Sequence, residues 1–97
     1  MKTISFEYKG SLANRVSAAQ ERRKIEEAVG QRQKVVIDYS GVTSLSGSYA
    51  DELFGILVKF YGADAVKTSI KVVGARTEVV RAIGLAIQNR MPSPVAA

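Results

Sequence analysis

KVVIDYSGVTSLSGSYADELFGILVKF, residues 34–60, decides the fold. Val35, Val36 and Ile37 are wholly apolar and end in an acid, Asp38. Such an unbroken run over 34–39 reads as a central strand of a parallel sheet, buried on both faces. Small hydroxyl residues follow: Ser40, Thr43, Ser44 and Ser46, then Gly47 and Ser48. An apolar stripe at spacings of three and four, Ala50, Leu53, Phe54, Leu57, Val58 and Tyr61, then predicts a helix over about 48–61. The hydroxyls are thus expected in a loop beyond a strand's carboxyl end, where α/β proteins usually meet ligands and partners.

Residues 3–9 alternate, with Ile4, Phe6 and Tyr8 on one side and Ser5, Glu7 and Lys9 on the other, which predicts a strand with one buried face. Gly10 and Ser11 are expected to break it. A helical pattern runs from Leu12 to about Val29, and Gly30 stands at its expected stop. Downstream, Gly62 ends the helix of 48–61, a third strand is expected over 69–73, and a third helix over about 76–89. Pro92 and Pro94 end regular structure, so the core spans about 3–90 and the tail 91–97 is expected to be loose. The order β-α-β-α-β-α implies right-handed crossovers and a largely parallel sheet in a small single α/β domain, 1–97, of two or three layers.

Composition narrows the chemistry. The 97 residues include no cysteine and no histidine. Disulfides, thiolate or imidazole metal sites and histidine acid–base catalysis are therefore excluded, and neither an enzyme nor a cofactor is expected. The opening residues lack the apolar stretch of a secretory signal and no run is long enough to cross a bilayer, so a soluble cytoplasmic protein is expected. The net charge of +5 keeps a nucleic-acid partner open, through Arg22, Arg23, Lys24, Arg32 and Lys34; a solvated helical face is the plainer reading of the same residues.

Within SGVTSLSGSYADE, residues 40–52, several readings stand together. Ser48 followed three residues later by Asp51 is close to a capping box, so Ser48 is expected to cap the helix, with Ser46 able to cap as well. A helix start among small residues can also hold an anion or a small ligand such as a nucleotide, although the Gly-x-x-x-x-Gly-Lys pattern is missing. A serine there can itself be phosphorylated. Asp38, at the predicted strand end, is expected in a structural ion pair with Arg15, which is also a candidate partner for Asp51. Tyr39 and Tyr49 flank the loop as either an aromatic rim or core.

At these residues the chain resembles the STAS domain of sulfate transporters and anti-sigma-factor antagonists. It resembles still more closely the bacterial STAS-like domains of unknown function, whose signature reads Asp-aromatic-x-Gly-Val, then Ser-x-Ser-aromatic-Ala-Asp-Glu. Asp38, Tyr39, Gly41, Val42, Ser46, Ser48, Tyr49, Ala50, Asp51 and Glu52 fit it, and Asn14 and Arg15 look like the entry to the family's first helix. The resemblance covers roughly residues 3–88, and its specific part is 38–54. It implies a truncated STAS fold, without the opening strand or the final strand and helix. It also implies a non-enzymatic regulatory module that presents Ser44, Ser46, Gly47, Ser48, Tyr49 and Asp51 to a protein partner, such as a histidine-kinase-like ATPase or a switch protein. Ser48 falls at the phosphoacceptor position; Ser46 replaces the acid before it and Tyr49 the glycine after it.

Self-association is the last expectation. Three strands leave both sheet edges open and apolar surface near Phe6, Tyr8 or Tyr61, which a homodimer through residues 3–9 would cover.

Overall fold

The structure, a computed structural model, describes residues 2–91. Strand β1 (Thr3–Leu12) leads to helix α1 (Arg15–Gly30), then to β2 (Lys34–Leu45). Helix α2 (47–61) is continuous but not uniform: α-helical over Gly47–Ala50, π-helical over Asp51–Gly55, and α-helical again over Ile56–Tyr61. A short helix α3 (Ala63–Ser69), strand β3 (Ile70–Val73) and helix α4 (Thr77–Arg90) complete the chain. The expectation of a loose tail falls mainly on residues 92–97, outside the described residues.

The sheet is parallel with strand order β1-β2-β3. Right-handed crossovers that step in one direction place every connecting helix on the same face. The core follows that geometry. Val35, Ile37, Tyr39, Val42 and Leu45 of β2 are buried with Ala18, Ile25 and Ala28 of α1, Leu53, Phe54 and Leu57 of α2, and Val79, Ile83 and Ala86 of α4. The opposite face carries Thr3, Ser5, Glu7, Lys9, Ser40 and Lys71, all exposed, with Val36 and Asp38 half-buried. The domain is therefore two-layered. The expectation that β2 is buried on both faces is corrected: one face is covered and the other is bare.

A second correction concerns length. β2 does not end at Asp38 but continues to Leu45, paired with β1 throughout. The pairing shifts between Glu7 and Lys9 and again between Gly10 and Ser11, and each shift inserts one extra residue into β2. After these bulges the inward residues come at spacing three (Tyr39, Val42, Leu45), which hides the strand's period of two. β1 likewise passes through Gly10, whose φ of +80° only glycine takes without strain, and reaches Leu12. α1 consequently starts late, at Arg15, where the Asn14 side chain accepts from the N–H groups of Val16 (2.7 Å) and Ser17 (3.3 Å).

The expected stop at Gly62 is present, with φ +87°. Helix α3, which follows it, is an addition to the expected order. Tyr61, expected within the apolar stripe, is 53% exposed. A π turn holds more residues than an α turn, so positions after Gly55 lag in rotation and the end of the stripe swings outward.

Candidate functional site

Ser44, Ser46 and Ser48 gather where β1 and β2 end and α2 begins, whereas Ser40 stays beside Asp38 on the bare face. Ser44 lies exposed near the end of β2 opposite Ser11 of β1, their Oγ atoms 2.8 Å apart. Ser46 is the residue before α2: its backbone is extended, its N–H donates to the Leu12 carbonyl at 2.9 Å, and its Oγ accepts from the Tyr49 N–H at 3.1 Å. Ser46 is therefore the cap. The expectation that Ser48 caps α2 is corrected, because the helix begins at Gly47 and Ser48 already lies in its first turn. Gly47 and Ser48 are exposed.

The two tyrosines of the segment are core, not rim. Tyr49 is 1% exposed, which removes it from the expected contact surface, and burial, aided by the charge of Glu21, pushes its pKa up to about 12. Tyr39 is fully buried, with its ring tilted against Tyr8 (centroids 5.8 Å) and edge-on to Phe54 (6.4 Å). Burial raises its pKa far above the ordinary phenol value. Its hydroxyl is a buried polar atom without a hydrogen-bond partner among the described residues. Tyr8 donates to the Glu21 carboxylate, and burial first, then that bond, raises its pKa strongly.

The acids occupy two separate places. Asp51 lies under Arg90, which grips it with both arms: Nε to Oδ1 at 2.9 Å and Nη2 to Oδ2 at 2.8 Å. Arg15 adds a contact to Asp51 and another to Glu52, both at 3.3 Å. The Arg90 hydrogen bonds, and then those of Arg15, hold the Asp51 carboxyl below the usual carboxylate range against a partly opposing desolvation. Glu52 is held low first by Arg22, whose Nη1 reaches its Oε2 at 2.5 Å. The same Nη1 donates to the Glu52 carbonyl at 2.7 Å, within the π turn. Widening a helix disturbs its regular carbonyl pairing, and Arg22 supplies a donor there.

Gly55 makes this arrangement sterically feasible. A Cβ on it would stand 2.5 Å from Asp51 Oδ1 and 3.1 Å from Arg90 Cγ, so a side chain there would displace the ion pair. Asp51 is thus braced within the fold, its side chain 21% exposed. Arg90 and Gly55 were not singled out from sequence. The only local signal was a glycine inside an apolar helix, where it costs roughly 1 kcal/mol relative to alanine and so implies a packing reason.

Asp38 stands apart. Its expected ion pair with Arg15 is corrected: hydrogen bonding from Ser40, by its hydroxyl and by its N–H (2.8 Å to Oδ1), holds Asp38 low instead. The reason is the length of β2. Seven further residues put its end about 20 Å beyond Asp38, and Arg15 starts a helix near that far end.

The basic residues considered for nucleic acid are partly committed within the chain. Arg22 is bound to Glu52 and Glu26, Lys24 pairs with Glu21 at 3.3 Å, and Lys34 donates to the Thr68 carbonyl at 2.7 Å. At the far end of α2, an apolar hollow of about 150 Å³ lies between Val29, Leu57, Tyr61 and Val66. It lies at the opposite end of α2 from Ser46 and Ser48.

Three parallel strands in sequential order, helices on one face, and a hydroxyl-lined strand-to-helix junction define a small α/β domain of the truncated STAS-like kind. Residues 17–80, well over half of the chain, match the family described as STAS-like domain of unknown function (DUF4325), and the chain belongs to that family. The matched stretch contains the whole signature segment 38–54. No curated protein and no solved structure matches the chain. No helix among the described residues is long and apolar enough to cross a membrane.

Proposed function

We propose that this domain is a non-enzymatic regulatory module that presents the junction of β2 and α2 to a protein partner, with Ser48 as phosphoacceptor. One observation carries the reading: Ser48 is exposed in the first turn of α2 while the neighbouring Ser46 makes the cap. A hydroxyl required for the cap could not accept a phosphate without unravelling the helix start. Ser48 is free of that duty, and a phosphate in a first turn is favoured by the helix dipole. Ser44, Ser46 and Gly47 form the surrounding surface, whereas Asp51 supports it from below through Arg90 and Arg15.

The partner class is a histidine-kinase-like ATPase or a switch protein, as in the antagonists the signature resembles. Phosphorylation would add about −1.5 to −2 charges to a surface of uncharged hydroxyls and change binding by electrostatics and bulk alone. The test is incubation with such an ATPase and ATP, read by mass spectrometry of the peptide containing Ser48 and by binding before and after. Phosphate on Ser48, weaker binding by Ser48→Asp, and unchanged binding by Ser48→Ala are expected. Binding indifferent to Ser48→Asp would sink the reading.

A further inference from the structure

The outer edge of β1 has no strand beside it among the described residues, and it is long. Its ten residues exceed the usual strand of about five or six. The Lys2 carbonyl accepts from Lys34 and the Leu12 carbonyl from Ser46, so the even-numbered residues direct their backbone groups toward β2. In a strand the alternate residues point the other way. Residues 3, 5, 7, 9 and 11 therefore direct their N–H and C=O groups outward, as an unpaired row ready to accept another strand.

We propose that this edge takes a second copy of the chain, with β1 pairing antiparallel to its own image about a two-fold axis at Tyr8. The charges choose that register. Outward-pointing residues must meet outward-pointing residues, so the chain can slide only by steps that move the axis one residue at a time. An axis at Glu7 would set Glu7 against Glu7 of the partner subunit, and an axis at Lys9 would set lysine against lysine. An axis at Tyr8 sets Glu7 against Lys9 of the partner subunit, twice, as hydrogen-bonded pairs on the bare face. The neighbouring pairs also fit. Ser5 meets Ser11 of the partner subunit, and on the helix face Ile4 meets Leu12 and Phe6 meets Gly10 of the partner subunit.

The shape of the helix face agrees with this pairing. Beside β1, a hollow of about 230 Å³ opens between Ile4 and Phe6 of the strand and Lys24, Glu27 and Ala28 of α1. Leu12 of the partner subunit lands next to Ile4, at this hollow. A Cβ built on Gly10 meets nothing within 4 Å, which leaves space for the Phe6 ring of the partner subunit. Ile4, Phe6, Tyr8 and Leu12 remain half-buried in one copy and would be covered by the second. The product is a continuous six-stranded sheet with all helices on one face.

Sedimentation equilibrium over micromolar concentrations at low salt tests the idea. Glu7→Lys alone, or Lys9→Glu alone, brings two like-charge pairs together and should weaken dimerisation by about tenfold or more. The double swap restores opposite charges and should return the affinity to near wild type. Both residues are exposed, and an unchanged far-ultraviolet circular dichroism spectrum separates loss of the dimer from loss of the fold. A second measurement uses the absence of cysteine from the chain. Mixed Glu7→Cys and Lys9→Cys proteins should cross-link under oxidation, since facing residues in such a pair lie about 5.5 Å apart between Cα atoms. A wild type that stays monomeric to tens of micromolar, a dimer indifferent to both single swaps, or a mixture that does not cross-link overturns the proposal.

Discussion

On the covered face of β2, Val35, Ile37, Tyr39 and Val42 are at most 1% exposed, whereas Val36 on the opposite face remains half-buried. These residues are neighbours in sequence and similar in hydrophobicity. What separates them is topology: strands in the order β1-β2-β3 joined by right-handed crossovers bring α1 and α2 to one side, and α4, after β3, packs Val79, Ile83 and Ala86 into the same core. Apart from Val36 and Val73, the bare side carries polar and charged residues, which need no cover.

A pair of truncations one residue apart tests the difference between the two faces most strongly. Ile37→Ala removes a fully buried side chain from the covered face and should cost about 2–5 kcal/mol. Val36→Ala acts on the bare face and should cost under about 1 kcal/mol. Urea unfolding of both variants checks it. Equal costs would mean that the bare face is covered by something in solution, a second layer that the single chain does not supply.

The difference between the two faces also sets how legible each strand is in the sequence. Ile4, Phe6 and Tyr8 alternate with Ser5, Glu7 and Lys9 because β1 has one covered face, so its pattern was legible. Residues 35–37 were legible as a strand but not as a one-faced one, because Val36 is apolar on a side that did not require it. Beyond Tyr39 the bulges destroyed the period, and a paired strand read as a loop. At the candidate site, the serines at the start of α2 were visible, and the choice between Ser46 and Ser48 turned on a cap that lies two residues earlier than expected. The π turn had no local signal. The arginines that bond to it, Arg22 and Arg90, lie 30 and 39 residues from the acids they hold.

Helix α2 differs again: it buries one face and pins carboxylates with the rest of its first half. Gly55→Ala should displace Asp51 from Arg90 and cost about 1–2 kcal/mol, even though alanine is the better helix former. Its pH dependence identifies the cause. Asp51 and Glu52 are depressed in the folded state, so their contribution is full above the unfolded carboxylate value of about 4 and is lost as pH falls through the lower folded values. The wild type should therefore lose stability below about pH 4, and the gap between it and Gly55→Ala should close there. A gap that stays constant down to pH 2 would mean that alanine strains the backbone rather than the ion pair.

The smallest expected effect separates two serines two residues apart. Ser46 Oγ accepts from the Tyr49 N–H, one of the orphan donors of the α2 start, and Tyr49 is buried directly behind it. Ser46→Ala leaves that N–H without its partner and should cost about 1 kcal/mol. Ser48 projects into solvent from the first turn, so Ser48→Ala should lie within about 0.5 kcal/mol of wild type. Ser48→Asp should be slightly stabilising, by about 0.3 kcal/mol at low salt, because an acid there faces the positive end of the helix dipole. Thermal melts at two salt concentrations resolve the three variants. If Ser48→Ala proved as costly as Ser46→Ala, Ser48 would be structural, and a phosphate on it would disturb the helix start rather than decorate an intact surface.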